Sequence, residues 1–313
     1  MKTSTDTAAL TRHSLHGPTM GSRWTALFHA PEGMQTAPLA ADLAKAAGSV
    51  DQQMSSWNPA SDLMRLNAAA PGQWIDLPPE ILSVLATALR IGTASDGLFD
   101  IGVGGLVAAW GFGPAQGKTD AAKIRALIGK PLNTTLDLDP AQGRARKAGA
   151  MQLDLSGIAK GYGVDALAQT CIRHGLNSFL VGIDGEMRAK GGKPDGAPWA
   201  VALEKPDTKI RAPISVIELS DHAIATSGDY RHFVRVGQTT LSHTMNPRTG
   251  GPAQNALASV SVLAKTCAEA DAWATVLMVL GEVAGPAFAR AHAMQAIFVL
   301  RDGAGFRQIT VGG

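Results

Sequence analysis

One apolar stretch near the C-terminus, residues 269–281, constrains the fold of this chain more than any other. Ala270, Ala274, Leu277, Met278 and Leu280 recur at helical spacing, so the segment has to pack as a helix against a core, with Gly281 as its expected C-terminal stop. Asp271 and Thr275 stand four residues apart beside that stripe and project from one helical face. Two chemistries satisfy such a pair. A hard cation such as Mg2+ takes oxygen ligands and keeps positions for phosphate and water. Alternatively, the acid caps amides at the helix N-terminus and the threonine bonds back to the preceding turn.

A length of 313 residues with 45% apolar and 17% charged side chains is enough for one large domain or two closely packed lobes. The net charge of +2, without a dense Lys/Arg cluster, excludes a general nucleic-acid binder and leaves phosphate-bearing small molecules open. Cys171 and Cys267 both sit in helical patterns as small apolar residues, which argues against a disulfide framework or a thiolate metal site. No apolar run reaches the ~20 residues of a membrane helix, and the N-terminus lacks the apolar core of a secretory signal. The expectation is therefore no membrane span, with cytoplasmic placement as written or periplasmic placement if the sequence is a processed form.

Residues 1–18 read as a polar N-terminal segment and 19–313 as a single domain. Ser22 to Ala30 reads as a strand. Leu39, Leu43, Ala47, Val50 and Met54 mark a helix, and Ile81, Leu82, Leu85 and Leu89 mark another from about Pro79 to Ala94. The glycine-rich section from Gly97 to Lys118 suits close backbone approach to a ligand or tight chain packing. From Met151 the order is strand, glycine-containing loop, helix to about His174, strand Ser178 to Ile183, further strands, a hairpin around Gly237 and a strand from Ala258 to Leu263. Helices grouped with antiparallel-looking strands predict an α+β fold, a mixed and largely antiparallel sheet flanked by helices.

Two nucleotide motifs are approached and missed. Gly111 to Thr119 resembles a P-loop, but the first glycine of that motif would stand at Phe112, and no clear strand precedes it. Gly161-Tyr162-Gly163-Val164-Asp165-Ala166 satisfies G-x-G-x-x-A, with Asp184 beyond the next strand. In a dinucleotide fold the first glycine turns the chain directly off the strand. Here Ser156 to Lys160 intervene, and the apolar spacing starts the helix before Gly161, so the glycines read as helix-packing positions.

Five ordered blocks carry a resemblance: TMGSRW at 19–24, MSSWNPASDLMRLN at 54–67, DGLFDIGVGGLVAAWGFGP at 96–114, LDLSGIAKGYGVDAL at 153–167, and SHTMNPRTGGP at 242–252 leading into EADAWAT. Together they resemble the ApbE-type FAD:protein FMN transferase family. The resemblance implies Mg2+-dependent phosphoryl transfer, in which the FMN half of FAD passes to a Thr or Ser hydroxyl of an acceptor flavoprotein and AMP is released. It also implies two lobes with the ligand cleft between them. Some members hydrolyse FAD to FMN and AMP, and a non-catalytic FAD-binding protein is a third reading.

Carried onto this sequence, the resemblance implies Asp271, Thr275 and the backbone carbonyl of Ala159 as metal ligands, a donor set that suits magnesium. It implies Met20, Trp57, Leu98, Phe99, Asp100, Ser156, Tyr162 and Met245 for FAD. Each has a plainer reading: core packing for Met20 and Phe99, a turn cap for Asp100. The acceptor hydroxyl needs a base, and the resemblance implies His243 for that role, with Asp229 as a second candidate. Asn246 stands where the family commonly has aspartate, leaving that position a hydrogen-bonding role, and Asp184 replaces a frequent glycine.

Overall fold

The chain opens on a β-hairpin, β1 (Leu10–Thr19) and β2 (Ser22–Pro31), paired along its whole length, with Met20 and Gly21 at positive φ in the turn. Residues 10–18 therefore belong to the domain, contrary to the polar segment expected there. β1 lies at the edge of its sheet and is covered on one side only, so its sequence carries no apolar stripe for periodicity to detect. The computed structural model describes residues 10–115, 119–128, 136–207, 212–229, 233–236, 239–303 and 305–312.

Helix α1 (Ala37–Met54) buries Leu39, Leu43, Ala47, Val50 and Met54, the apolar stripe read from the sequence. α2 (Asp62–Ala68) starts where Ser61 Oγ accepts the Met64 N–H at 3.1 Å. β3 (Ile75–Asp76) leads into α3 (Pro79–Ala94), whose bounds are those expected, followed by α4 (Gly104–Ala109), a 3-10 turn at Gly113–Ala115 and α5 (Ala121–Leu127). Gln116, Gly117 and Lys118 of the P-loop-like segment lie outside the described residues, but a helix rather than a strand precedes them. β4 (Leu136–Asp139) and β5 (Arg144–Lys147) complete a small sheet with β3.

The expected strand at Met151 is an extended segment with one bridge, Gln152 to Val103. A buried side chain takes the place of a partner strand: Asn67 Nδ2 donates to the Leu153 carbonyl at 2.9 Å and its Oδ1 accepts the Leu153 N–H at 2.7 Å. Helix α6 (Ala159–Arg173) begins before Gly161, as the apolar spacing requires, and no strand turns directly into it.

Then follow β6 (Phe179–Ile183), β7 (Glu186–Lys190), β8 (Trp199–Glu204), β9 (Pro213–Leu219) and β10 (Ala223–Gly228). After them come the hairpin β11 (Phe233–Val236) and β12 (Thr239–Ser242), and the short pair β13 (Met245–Asn246) and β14 (Gly251–Pro252). Gly237 of the expected hairpin lies outside the described residues. The chain ends with β15 (Leu257–Ala264), α7 (Cys267–Ala291), β16 (Gln295–Asp302) and β17 (Gly305–Val311).

Eight strands form one antiparallel sheet in the order β1-β2-β6-β7-β10-β15-β16-β17. One face packs Phe28, Phe179 and Val181 against Leu43 of α1, Leu167 of α6 and Ala270 of α7. Its other face packs Leu180, Ile224 and Ile297 against Trp199, Val201 and Leu203 of β8. A second lobe, built on α2, α3 and the segments around Phe99 and Leu155, closes on Ala272 and Val276 of α7. α7 thus belongs to both lobes. Gly281 interrupts it at φ 81° without ending it, because Asn255 Nδ2 donates to the Met278 carbonyl at 2.8 Å and Glu282 turns back to accept the Ala256 N–H at 3.1 Å.

Candidate active site

Where α6 meets α7, two glycines let the chain approach itself. A Cβ on Gly161 would stand 2.4 Å from the Cys267 carbonyl oxygen, so the two helices touch through backbone. A Cβ on Gly157 would lie 3.1 Å from Thr275 Oγ1 and 3.3 Å from Phe99, which sets the Ser156-Gly157 turn directly on α7. That turn is formed by Asp154 Oδ1, which accepts the Ser156 N–H at 2.7 Å.

The start of α7 is fixed from α6. Asp165 accepts the Cys267 N–H at 2.9 Å through one oxygen and the Ala268 N–H at 3.0 Å through the other, and Arg188 pairs with it at 2.6 Å. One turn into α7, Asp271 Oδ2 accepts the Gly161 N–H at 3.1 Å, so each helix supplies the carboxylate that caps the other. Asp271 is 5% exposed, and its pKa is pushed up to about 7, chiefly by burial and then by Glu186, against the opposing pull of Lys160 and the Gly161 amide. Thr275 Oγ1 lies 3.3 Å from the Asp271 carbonyl oxygen and 3.3 Å from Ser227 Oγ.

Lys160 sits over this junction, its Nζ 2.7 Å from Glu186 Oε1 and 3.6 Å from Asp184 Oδ2. Burial alone would lower its pKa, but Glu186, Asp271 and Asp184 overcome that and raise it above the ordinary lysine value. Glu186 is 3% exposed and its Oε2 is buried with no hydrogen-bond partner among the described residues. Asp184 holds φ 56° in the β6–β7 turn, a left-handed conformation that glycine adopts more readily, and its Oδ1 accepts a hydrogen bond from Ser22 Oγ at 3.2 Å.

These groups line a cleft of about 1500 Å3 between the lobes. Met20, Trp57, Leu98, Phe99, Asp100, Ser156, Ala159, His243, Met245, Asp271 and Thr275 all lie on its wall. Leu98, Phe99 and Met245 are buried, whereas Trp57 is 60% exposed at the mouth. Asp100 Oδ1 also accepts the Gly102 N–H at 2.8 Å, so its plainer reading as a turn cap holds alongside its place in the wall. His243 follows Ser242, whose Oγ accepts the Thr244 N–H at 3.1 Å.

Tyr162 does not line the cleft. It stands about 200° around α6 from Lys160 and packs against the core of the second lobe, where burial raises its hydroxyl pKa, with Glu80 and Asp165 adding to the shift. Asp229 also lies away from the cleft wall, paired with Arg301. Asn246 has the hydrogen-bonding role left to it: its Oδ1 accepts the Arg248 N–H at 3.0 Å within the turn.

Among the described residues no three His, Cys, Asp or Glu side chains gather to hold a metal, so a cation at α6–α7 rests on mixed oxygen donors. One buried carboxylate, one hydroxyl and the first residue of α6 on the same wall fit a hard divalent ion that retains positions for phosphate and water. Sequence reasoning missed Lys160, Glu186 and Ser227. The first lies inside the SGIAKG block and could have been read as a phosphate-facing cation, but the other two meet the site only through sheet pairing.

The profile of the ApbE family matches residues 20–298. The chain belongs to the ApbE family. A protein of Vibrio cholerae named FAD:protein FMN transferase is 34% identical over 94% of this chain and 89% of its own length. One of Escherichia coli with the same name is 33% identical over 94% of this chain and 85% of its own. The crystal structure of the apo flavinyl transferase ApbE from Pseudomonas stutzeri superposes with a TM-score of 0.85 at 34% identity, covering 96% of this chain and 95% of that one. The α+β architecture expected from the sequence is thus the ApbE fold.

Proposed function

We propose that this chain transfers the FMN moiety of FAD to a threonine or serine hydroxyl of an acceptor protein, in a magnesium-dependent reaction that releases AMP. The observation that carries the reading is that Asp271, Thr275, Ala159 and His243 all line the one cleft between the lobes. Asp271, Thr275 and the Ala159 carbonyl would hold Mg2+, which when bound supplies charge neutralisation at the pyrophosphate. Lys160, fixed by Glu186 and Asp184, adds a positive charge beside that position. Leu98, Phe99, Met245 and Trp57 provide the apolar surface for the flavin end, and the turn at Ser156 adds polar contacts.

In the transfer step the acceptor oxygen forms a bond to the phosphorus of the FMN half while the bridging bond to AMP breaks, and AMP departs with the bridging oxygen. The proton of the acceptor hydroxyl passes to His243, which lines the cleft that the hydroxyl has to enter. Incubating the chain with FAD, Mg2+ and a candidate acceptor protein tests the reading. The expected result is a fluorescent acceptor band that survives denaturing electrophoresis. Steady AMP release without any labelled acceptor would replace transfer by hydrolysis, and intact bound FAD would reduce the chain to a flavin binder.

A further inference from the structure

β8 gives four successive residues, Val201, Ala202, Leu203 and Glu204, to the wall of the same cleft. Neighbouring side chains of a strand point to opposite faces. Here Val201 and Leu203 are buried against the large sheet, whereas Ala202 is exposed. A cavity that reaches all four therefore meets the edge of the strand, its backbone, and not one of its faces. Among the described residues β8 pairs with β9 alone, so its second edge looks into the cleft that holds Asp271, Thr275 and His243.

We infer that this edge of β8, over Val201–Leu203, receives an extended segment of the acceptor protein as a third strand on the β8–β9 sheet. The inference rests on the transferase reading and names how its second substrate is held. An unpaired strand edge offers backbone donors and acceptors to another chain, and proteins usually guard such edges with charge, proline or a covering element. At this edge the outward side chains are the methyl groups of Ala200 and Ala202, which leave the backbone open to approach.

Three features commit the edge to an acceptor segment. The acceptor hydroxyl has to reach phosphorus beside Asp271, so the polypeptide that carries it has to enter this cleft. The cleft volume of about 1500 Å3 exceeds the roughly 300–1000 Å3 of pockets that hold one small ligand, leaving room beside the dinucleotide. The β8 wall also belongs to a packing cluster with Leu180 and Ile224, separate from the one that supplies Leu98 and Phe99 for the flavin. Recognition through backbone pairing fixes the path of the segment while its side chains alternate, one set facing the cleft interior with the reactive hydroxyl among them.

Amide hydrogen exchange on the whole chain decides the matter. The probe is an acceptor that the wild-type chain labels, with its labelled Thr or Ser changed to Ala so that it binds without reacting. Amides at 200–204 are expected to exchange at least tenfold more slowly with FAD and this acceptor than with FAD alone. In parallel, Ala202→Pro is expected to raise the acceptor KM at least tenfold more than it weakens FAD binding. If that variant does not fold, the exchange result on the wild-type chain decides alone. Labelling by the wild-type chain with unchanged exchange at 200–204 overturns the inference and leaves the transferase reading intact. Failure to label any acceptor overturns both.

Discussion

The Gly161 amide donates to Asp271 Oδ2 at 3.1 Å, joining the first turn of α6 to the second turn of α7 across 110 residues of chain. This bond puts the carboxylate at the N-terminal end of a helix dipole and inside the cleft together. Asp271→Asn keeps an acceptor for that amide and removes the charge. FMN transfer should fall roughly 100- to 1,000-fold, the usual cost of losing one charge-stabilising group at a reacting centre, while the melting temperature holds or rises. Steady-state labelling of an acceptor, set beside thermal unfolding, checks both halves.

The pH dependence follows from the same residue. Unfolded, Asp271 titrates near 3.8, and in the fold burial and Glu186 carry it to about 7. The folded chain then holds the extra proton between those values, so this contribution to stability is complete below the unfolded pKa and is lost as pH rises through about 7. A bound cation needs the carboxylate, so binding releases that proton. Mg2+ affinity should increase about tenfold per pH unit below 7 and level off above it. Calorimetric titration of Mg2+ from pH 5.5 to 8.5 in buffers of different ionisation enthalpy reads the slope and the proton release, and a flat profile would count against the assignment.

Gly161 and Gly48 make a matched pair of substitutions. A Cβ at Gly161 collides with the Cys267 backbone, which cannot step aside without parting α6 from α7. Gly161→Ala should destabilise the chain by about 1–3 kcal/mol and weaken Mg2+ binding with it. Gly48 is helical in α1 with open space around its Cα, so Gly48→Ala should stabilise by roughly 0.5–1 kcal/mol. Denaturant unfolding of both variants measures the contrast. Equal effects would remove the packing explanation for the glycines of the SGIAKGYG block.

That block also shows what the sequence could and could not disclose. Apolar spacing placed the start of α6, the stripe of α1 and the bounds of α3, because those side chains face a core and periodicity records burial. β1 leaves no such record, since an edge strand covered on one side needs few apolar residues. The motif around Tyr162 points to the flavin set, but rotation about α6 turns the ring toward the second lobe while Lys160 faces the cleft. Glu186 and Ser227 reach the site only through the order of strands in the large sheet, and β8 only by packing on that sheet's face, both of which are set by long-range contacts.

Asp165 separates folding from chemistry. It lies off the cleft wall, yet both of its oxygens receive α7 amides and Arg188 neutralises it. Burial raises its pKa, opposed by those two amide bonds and by the guanidinium. Asp165→Ala strips the start of α7 of an acceptor for two buried donors and strands a partly buried arginine, a combined loss of about 2–4 kcal/mol. Asp165→Asn should lose less, because one acceptor oxygen remains. FMN transfer per folded molecule should be unchanged in both, since Asp271 and Thr275 sit in a helix whose later turns are held by the core independently of that cap. Unfolding curves together with activity normalised to folded protein test this. A selective loss of turnover at full stability would move Asp165 into the reaction machinery.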